Sequence, residues 1–227
     1  MSNDCPLPSF YACPNKLRTR QETIISKYQH LFHKTLPKNK QYWTMCSMQT
    51  DEHGIFQQGS ELGQVLASNL IQENQFYGVD LNSAYIENNR KAKPDANWFC
   101  NDFYKEMYDW AANGKWNPGI IYADLISLKD KAKNRLTEII ELINACGIMD
   151  VMLVLNFMAN NPHSREQVSI DDCGRIHEEF IVGLNADIGF TKNWIEGWNF
   201  SEEYYIYSGT GKKSNTKMIT DIFWRKL

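Results

Sequence analysis

The chain has 227 residues, 43% of them hydrophobic, and a formal net charge of -3. That supplies one full core with little left for a second, so residues 17–227 are expected to form a single domain, and no general field draws in nucleic acid or an anionic membrane. No apolar run reaches the roughly 18 residues of a membrane span. The opening MSNDCPLPSFYACPNK lacks the apolar stretch of a signal peptide. The expected setting is cytoplasmic, with no membrane partner. Six cysteines occur without a C-x-x-C pair, and three fall in or beside apolar patterns, as reduced and buried thiols do.

In chain order, residues 1–16 carry Pro6, Pro8 and Pro14 without periodicity and read as an extended or disordered lead. Ile24, Ile25, Tyr28, Leu31 and Phe32 then recur at helical spacing within 17–36, and Pro37 ends the element. His30 and His33 lie three apart on this helix, but no cysteine or carboxylate is placed to complete a metal site, so they read as surface residues and no metal is expected. Residues 41–48, QYWTMCSM, form the first expected strand. A loop follows over 49–58, and a helix opens at Gly59 or Ser60 and continues through Leu62, Val65, Leu66 and Leu70.

The stretch 75–103 organises the rest. It reads as a strand over 75–80 ending in Asp80, a helix over 83–91, and a second strand over 96–102 ending in Asp102. In an open α/β sheet the ligand crevice lies beyond the carboxyl ends of the strands, so both acids face one bound molecule. One carboxylate can accept both hydroxyls of a ribose, and another can accept from an adenine amino group. An adenosine is the ligand this implies.

A helix over 104–112 is ended by Asn113-Gly114, and the buried run 119–125 carries a third acid, Asp124. An amphipathic helix over 129–146 is capped by Gly147 and leads to the most apolar strand, 150–157. This alternation makes a parallel sheet with helices on both faces. A helix over 165–184 follows. The β-rich runs 203–207 and 218–225 then pair as an antiparallel hairpin.

Other features admit two readings. His163, in the NNPHS loop at the sheet edge of the acids, is a general base or simply a loop histidine. GTGKKS lacks the first glycine of a phosphate loop and precedes a strand, so it reads as a basic hairpin loop. Trp194, Trp198 and Phe200 stack on a substrate ring or, by the stronger reading, pack the core.

Taken together, these parts resemble the class I S-adenosylmethionine-dependent methyltransferases, over residues 17–227. The resemblance implies a seven-stranded, mostly parallel Rossmann-like sheet with a C-terminal antiparallel hairpin, and methyl transfer with S-adenosylmethionine as cofactor. It implies that Asp80 binds the ribose hydroxyls, that Leu81 lies against the adenine, that Asp102 and Phe103 hold the adenine amino edge and face, and that Asp124 lies close to the methyl group or the substrate. The chain departs from the family at the first strand, where a tight glycine-rich turn is replaced by CSMQTDEHGIFQQGSELG. Cofactor contacts there are expected from Ser47 and Met48, or from Gly59, Ser60 and Glu61. Glu61 either favours the cofactor's positive charges or is a first-turn acid favoured by the helix dipole. Two rivals stand beside this reading: a nucleotide-dependent oxidoreductase, since an acid after the second strand also suits a nicotinamide cofactor, which lacks its G-x-G-x-x-G and does not explain the hairpin, and a catalytically silent binding protein of the same fold. With no large lid domain, a macromolecular acceptor is slightly favoured, whereas an N-terminal segment closing over the site favours a small one.

Overall fold

The computed structural model describes residues 14–46, 49–51, 53–158, 198–208 and 215–227. Seven strands form one sheet: β1 (Gln41–Met45), β2 (Phe76–Asp80), β3 (Asn97–Cys100), β4 (Pro118–Leu128), β5 (Val151–Met158), β6 (Asn199–Ser208) and β7 (Asn215–Arg225). Their order is β3-β2-β1-β4-β5-β7-β6. The first five are parallel, and β7 enters antiparallel between β5 and β6. This is the seven-stranded, mostly parallel sheet with a C-terminal antiparallel pair that the resemblance implies.

Strand alternation explains the two cores. Trp43, Ile121, Ala123, Leu153, Leu155 and Phe223 point to one face, where α5 (Phe103–Ala112) and α6 (Lys129–Ala145) cover them with Met107, Leu136, Ile139 and Ile143. Tyr42, Phe76, Ile120, Met152, Val154 and Ile222 point to the other. That face is covered by the N-terminal helical segment through Ile24, Ile25 and Tyr28, by α3 (Glu61–Ala67) through Leu62 and Val65, and by α4 (Ser83–Ala92) through Ile86. Gly147 follows α6 at φ 63°, in the left-handed cap conformation that glycine adopts without penalty.

Several boundaries differ from the sequence reading. The first helix begins at Pro14, inside the expected lead, because proline is tolerated in a first helical turn. It runs as α1 (Pro14–Arg20), a π-helical stretch (Gln21–Ser26) and α2 (Lys27–Leu31), ending before Pro37. β3 stops at Cys100, so Asp102 is no strand end: its carboxylate caps α5, accepting from the amides of Tyr104 and Lys105 at 3.0 Å each. β4 runs on to Leu128, so Asp124, expected at a strand end, lies inside the strand, and β6 is also longer than expected. Of the described cysteines only Cys46 is buried, whereas Cys100 and Cys146 are exposed, which corrects the expectation of three buried thiols. Trp198 and Phe200 are partly buried against the core, the packing reading. His30 and His33 are exposed, and no cluster of three metal-ligating side chains occurs among the described residues. No described helix is long and apolar enough to cross a membrane. The helix expected over 165–184, Trp194 and most of the hairpin loop lie outside the described residues.

Candidate functional site

The sheet reverses direction between β1 and β4: the chain runs from β1 outward to β2 and β3, then returns to place β4 on the other side. A crevice opens beyond the carboxyl ends at such a switch point. Asp80 ends β2 beside it. One of its oxygens accepts the Asn82 amide at 2.7 Å, and burial raises its pKa while the amides of Asn82 and Leu81 pull it down. Next to it Leu81 is 75% exposed, an isobutyl group held out in solvent. Phe103 lies differently: it is 3% exposed, its ring packed in the core edge-on to Tyr104.

The first loop is built around its own side chains. Asp51 accepts the amides of His53 and Ile55 and the Gln57 side chain, and Thr50 bridges Phe56. The Gln49 side chain accepts the Leu62 amide at 3.0 Å and the Ser60 hydroxyl accepts the Gly63 amide at 3.1 Å, so both occupy the N-terminus of α3. Gly63 answers a close approach, since a Cβ there would lie 2.3 Å from the Gln58 carbonyl oxygen. Gly59 sits partly buried in the turn, and Ser60 is fully enclosed. Ser47, Met48 and His163 lie outside the described residues.

Glu61 is 3% exposed, and the Tyr42 hydroxyl donates to it at 2.9 Å. Burial raises its pKa and outweighs the opposing pull of Arg20, Thr44 and Tyr42, while Asp124 adds to the rise. Arg20, at the end of α1, is 5% exposed. Burial alone would lower its pKa, but the Tyr122 phenol, Glu61 and Asp124 more than reverse this. Asp124 is partly exposed and accepts the Asn156 amide group at 2.8 Å, and Asn156 in turn accepts the Thr220 hydroxyl at 3.2 Å. The Cys46 thiol, pushed up by burial, also feels Glu61 and Asp80. Asp80 thus ends β2, Glu61 opens α3 and Asp124 lies within β4, and the Arg20 guanidinium is in the field of the last two.

The fold brings Glu61, Asp80, Leu81 and Asp124 to one mouth, and sets Asp102 and Phe103 at the start of α5 in capping and packing positions. Arg20, Tyr122, Asn156 and Thr220 were not anticipated. Three of them carried a signal: Arg20 stands four residues before Ile24 and eight before Tyr28, on the helix stripe that faces the core. Asn156 and Thr220 are polar residues within apolar strands, where burial requires a partner.

No family model matches the chain, and no curated protein matches its sequence. Solved structures do align with it. A TehB-like SAM-dependent methyltransferase from Corynebacterium glutamicum is 13% identical, covering 93% of this chain and 95% of its own, with a TM-score of 0.40. An rRNA methylase from Streptococcus thermophilus is 11% identical over 89% and 97%, at 0.42. A fibrillarin/Nop5p complex gives 11% identity over 92% and 82%, at 0.44. Such remote likenesses do not bear on activity or substrate.

Proposed function

We propose that the protein transfers a methyl group from S-adenosylmethionine. The observation that carries this is Asp80 at the carboxyl end of β2, beside the β1/β4 switch point, in a sheet closed by an antiparallel β7. That place suits the two hydroxyls of a ribose, and the exposed Leu81 next to it suits an adenine face. The acidic line toward Glu61 and Asp124 suits the positive end of the same molecule.

When bound, the cofactor supplies an activated methyl group, so the chain's work is positioning and exclusion of water. Asp80 orients the ribose. Asp124, held by the Asn156 and Thr220 relay, accepts a donor group or a proton from the acceptor. The N-terminal helical segment reaches the mouth with Arg20, which favours a small acceptor over the macromolecule expected from the absence of a lid domain. In a thermal shift experiment, S-adenosylmethionine and S-adenosylhomocysteine raise the melting temperature and nicotinamide dinucleotides do not, because a ligand bound only by the folded state stabilises it by mass action. Stabilisation by a nicotinamide dinucleotide alone would overturn the reading.

A further inference from the structure

From Lys27 to Lys40 the chain carries Lys27, Lys34, Lys38 and Lys40, with His30 and His33, and no acid. The whole chain has a net charge of -3, so this run leaves the remainder more acidic still, and the charge is segregated. A second basic piece, Arg225 and Lys226, stands almost at the end of the sequence. The fold closes the two pieces on one another. Lys226 donates to the Leu31 carbonyl at 2.9 Å, and Lys27 sets its ammonium over the Trp224 ring, 4.9 Å from the centroid. Just before β5, the Lys40 ammonium donates to the Met149 carbonyl at 2.7 Å, while the next residue, Asp150, accepts the Leu227 amide at 3.1 Å. Loop 32–40 and the chain end thus meet at consecutive residues. They form one corner at the amino ends of β1 and β5, at the far end of the strands from the candidate crevice.

Surface cations elsewhere on the chain face acids. On α4, Arg90 and Lys91 each lie 3.5 Å from Glu87, Lys93 lies 3.1 Å from Glu73, and on α5 Lys105 is paired with Asp109. The corner is different. Lys27, Lys34, Lys38 and Lys226 form no ion pair among the described residues, and Lys34, Lys38 and Lys226 are exposed. Asp150 offsets one charge, beside Lys40. Cations gathered in this way repel one another and destabilise the folded chain unless something negative covers them.

We propose that this corner docks the phosphate backbone of a nucleic acid strand. A lysine ammonium is a compact point charge that meets phosphate oxygens without a fixed geometry, so the docking reads charge and not sequence. A lipid surface fits less well, because a helix lying in the interface needs a free apolar face. The apolar residues of this segment, Ile24, Ile25, Tyr28 and Leu36, are spent in the core, and the exposed Leu227 is a single group. The proposal is independent of the methyl-transfer reading: the corner lies away from Asp80 and holds a partner, not the reacting group. For a single strand, log K falls against log salt with a slope of about -0.7 for each phosphate neutralised. Lys27, Lys34, Lys38 and Lys226 together give a slope of about -3.

The test is fluorescence anisotropy on the intact protein without S-adenosylmethionine, using a labelled mixed-sequence RNA of about 20 nucleotides. Raising salt from about 50 to about 200 mM weakens the wild type about fiftyfold. Lys34→Gln/Lys38→Gln/Lys226→Gln flattens that loss to about threefold. Lys34→Gln/Lys38→Gln, which keeps the Lys226 bond to Leu31, gives about sevenfold. Lys91→Gln/Lys105→Gln, at lysines that already face acids, behaves as wild type. Melting temperatures confirm that each variant is folded. Absence of RNA binding by the wild type at the lower salt would overturn the proposal, as would corner variants with the wild-type slope. Tighter binding to phosphatidylserine vesicles or to polyglutamate than to the RNA would overturn it too, in favour of a membrane or an acidic protein.

Discussion

Glu61→Ala removes the buried acid that accepts the Tyr42 hydroxyl at 2.9 Å. A buried hydroxyl left without its acceptor costs about 1–3 kcal/mol. For a chain of this size each kcal/mol moves the melting temperature by about 2–4 °C, which gives a fall of about 2–12 °C. Urea unfolding followed by tryptophan fluorescence, to which the buried Trp43, Trp98 and Trp116 contribute, measures the same change at constant temperature. Glu61→Gln keeps an acceptor for Tyr42 and loses less. The acid's raised pKa fixes the sign of the pH dependence. Above the ordinary carboxylate pKa and below the raised one, the folded chain holds a proton that the unfolded chain releases, so this contribution falls as pH rises through that window. Glu61→Gln removes that slope. A Glu61→Ala protein as stable as wild type would refute the reasoning, since Tyr42 would then not depend on this acid.

Asp80→Ala keeps the fold and loses about ten- to hundredfold in S-adenosylhomocysteine affinity by calorimetry, the worth of a charge-assisted bond to a ribose hydroxyl. Because burial raises the Asp80 pKa and the ionised form accepts the hydroxyls, affinity falls as pH drops through that raised pKa. Gly63→Ala places a Cβ against the backbone carbonyls of Gln57 and Gln58 and lowers stability by about 1–3 kcal/mol, checked by denaturant unfolding.

Much of the fold was legible because its signals are local. The apolar runs that became β2, β4 and β5 and the spacing of Leu136, Ile139 and Ile143 on α6 each carry a period readable within one element. Asp102 shows where this stops. An acid before Phe-Tyr-Lys is both a strand end and an N-cap, and only the backbone bonds from Tyr104 and Lys105 decide between them. The site was half legible for the same reason. Asp80 and Glu61 stand at element ends that the periodicity already marks, whereas Asp124 lies inside β4. Arg20 is more than forty residues from Gln64 and more than a hundred from Tyr122, and its burial depends on how an N-terminal helix crosses a sheet that has not yet been made when it is read.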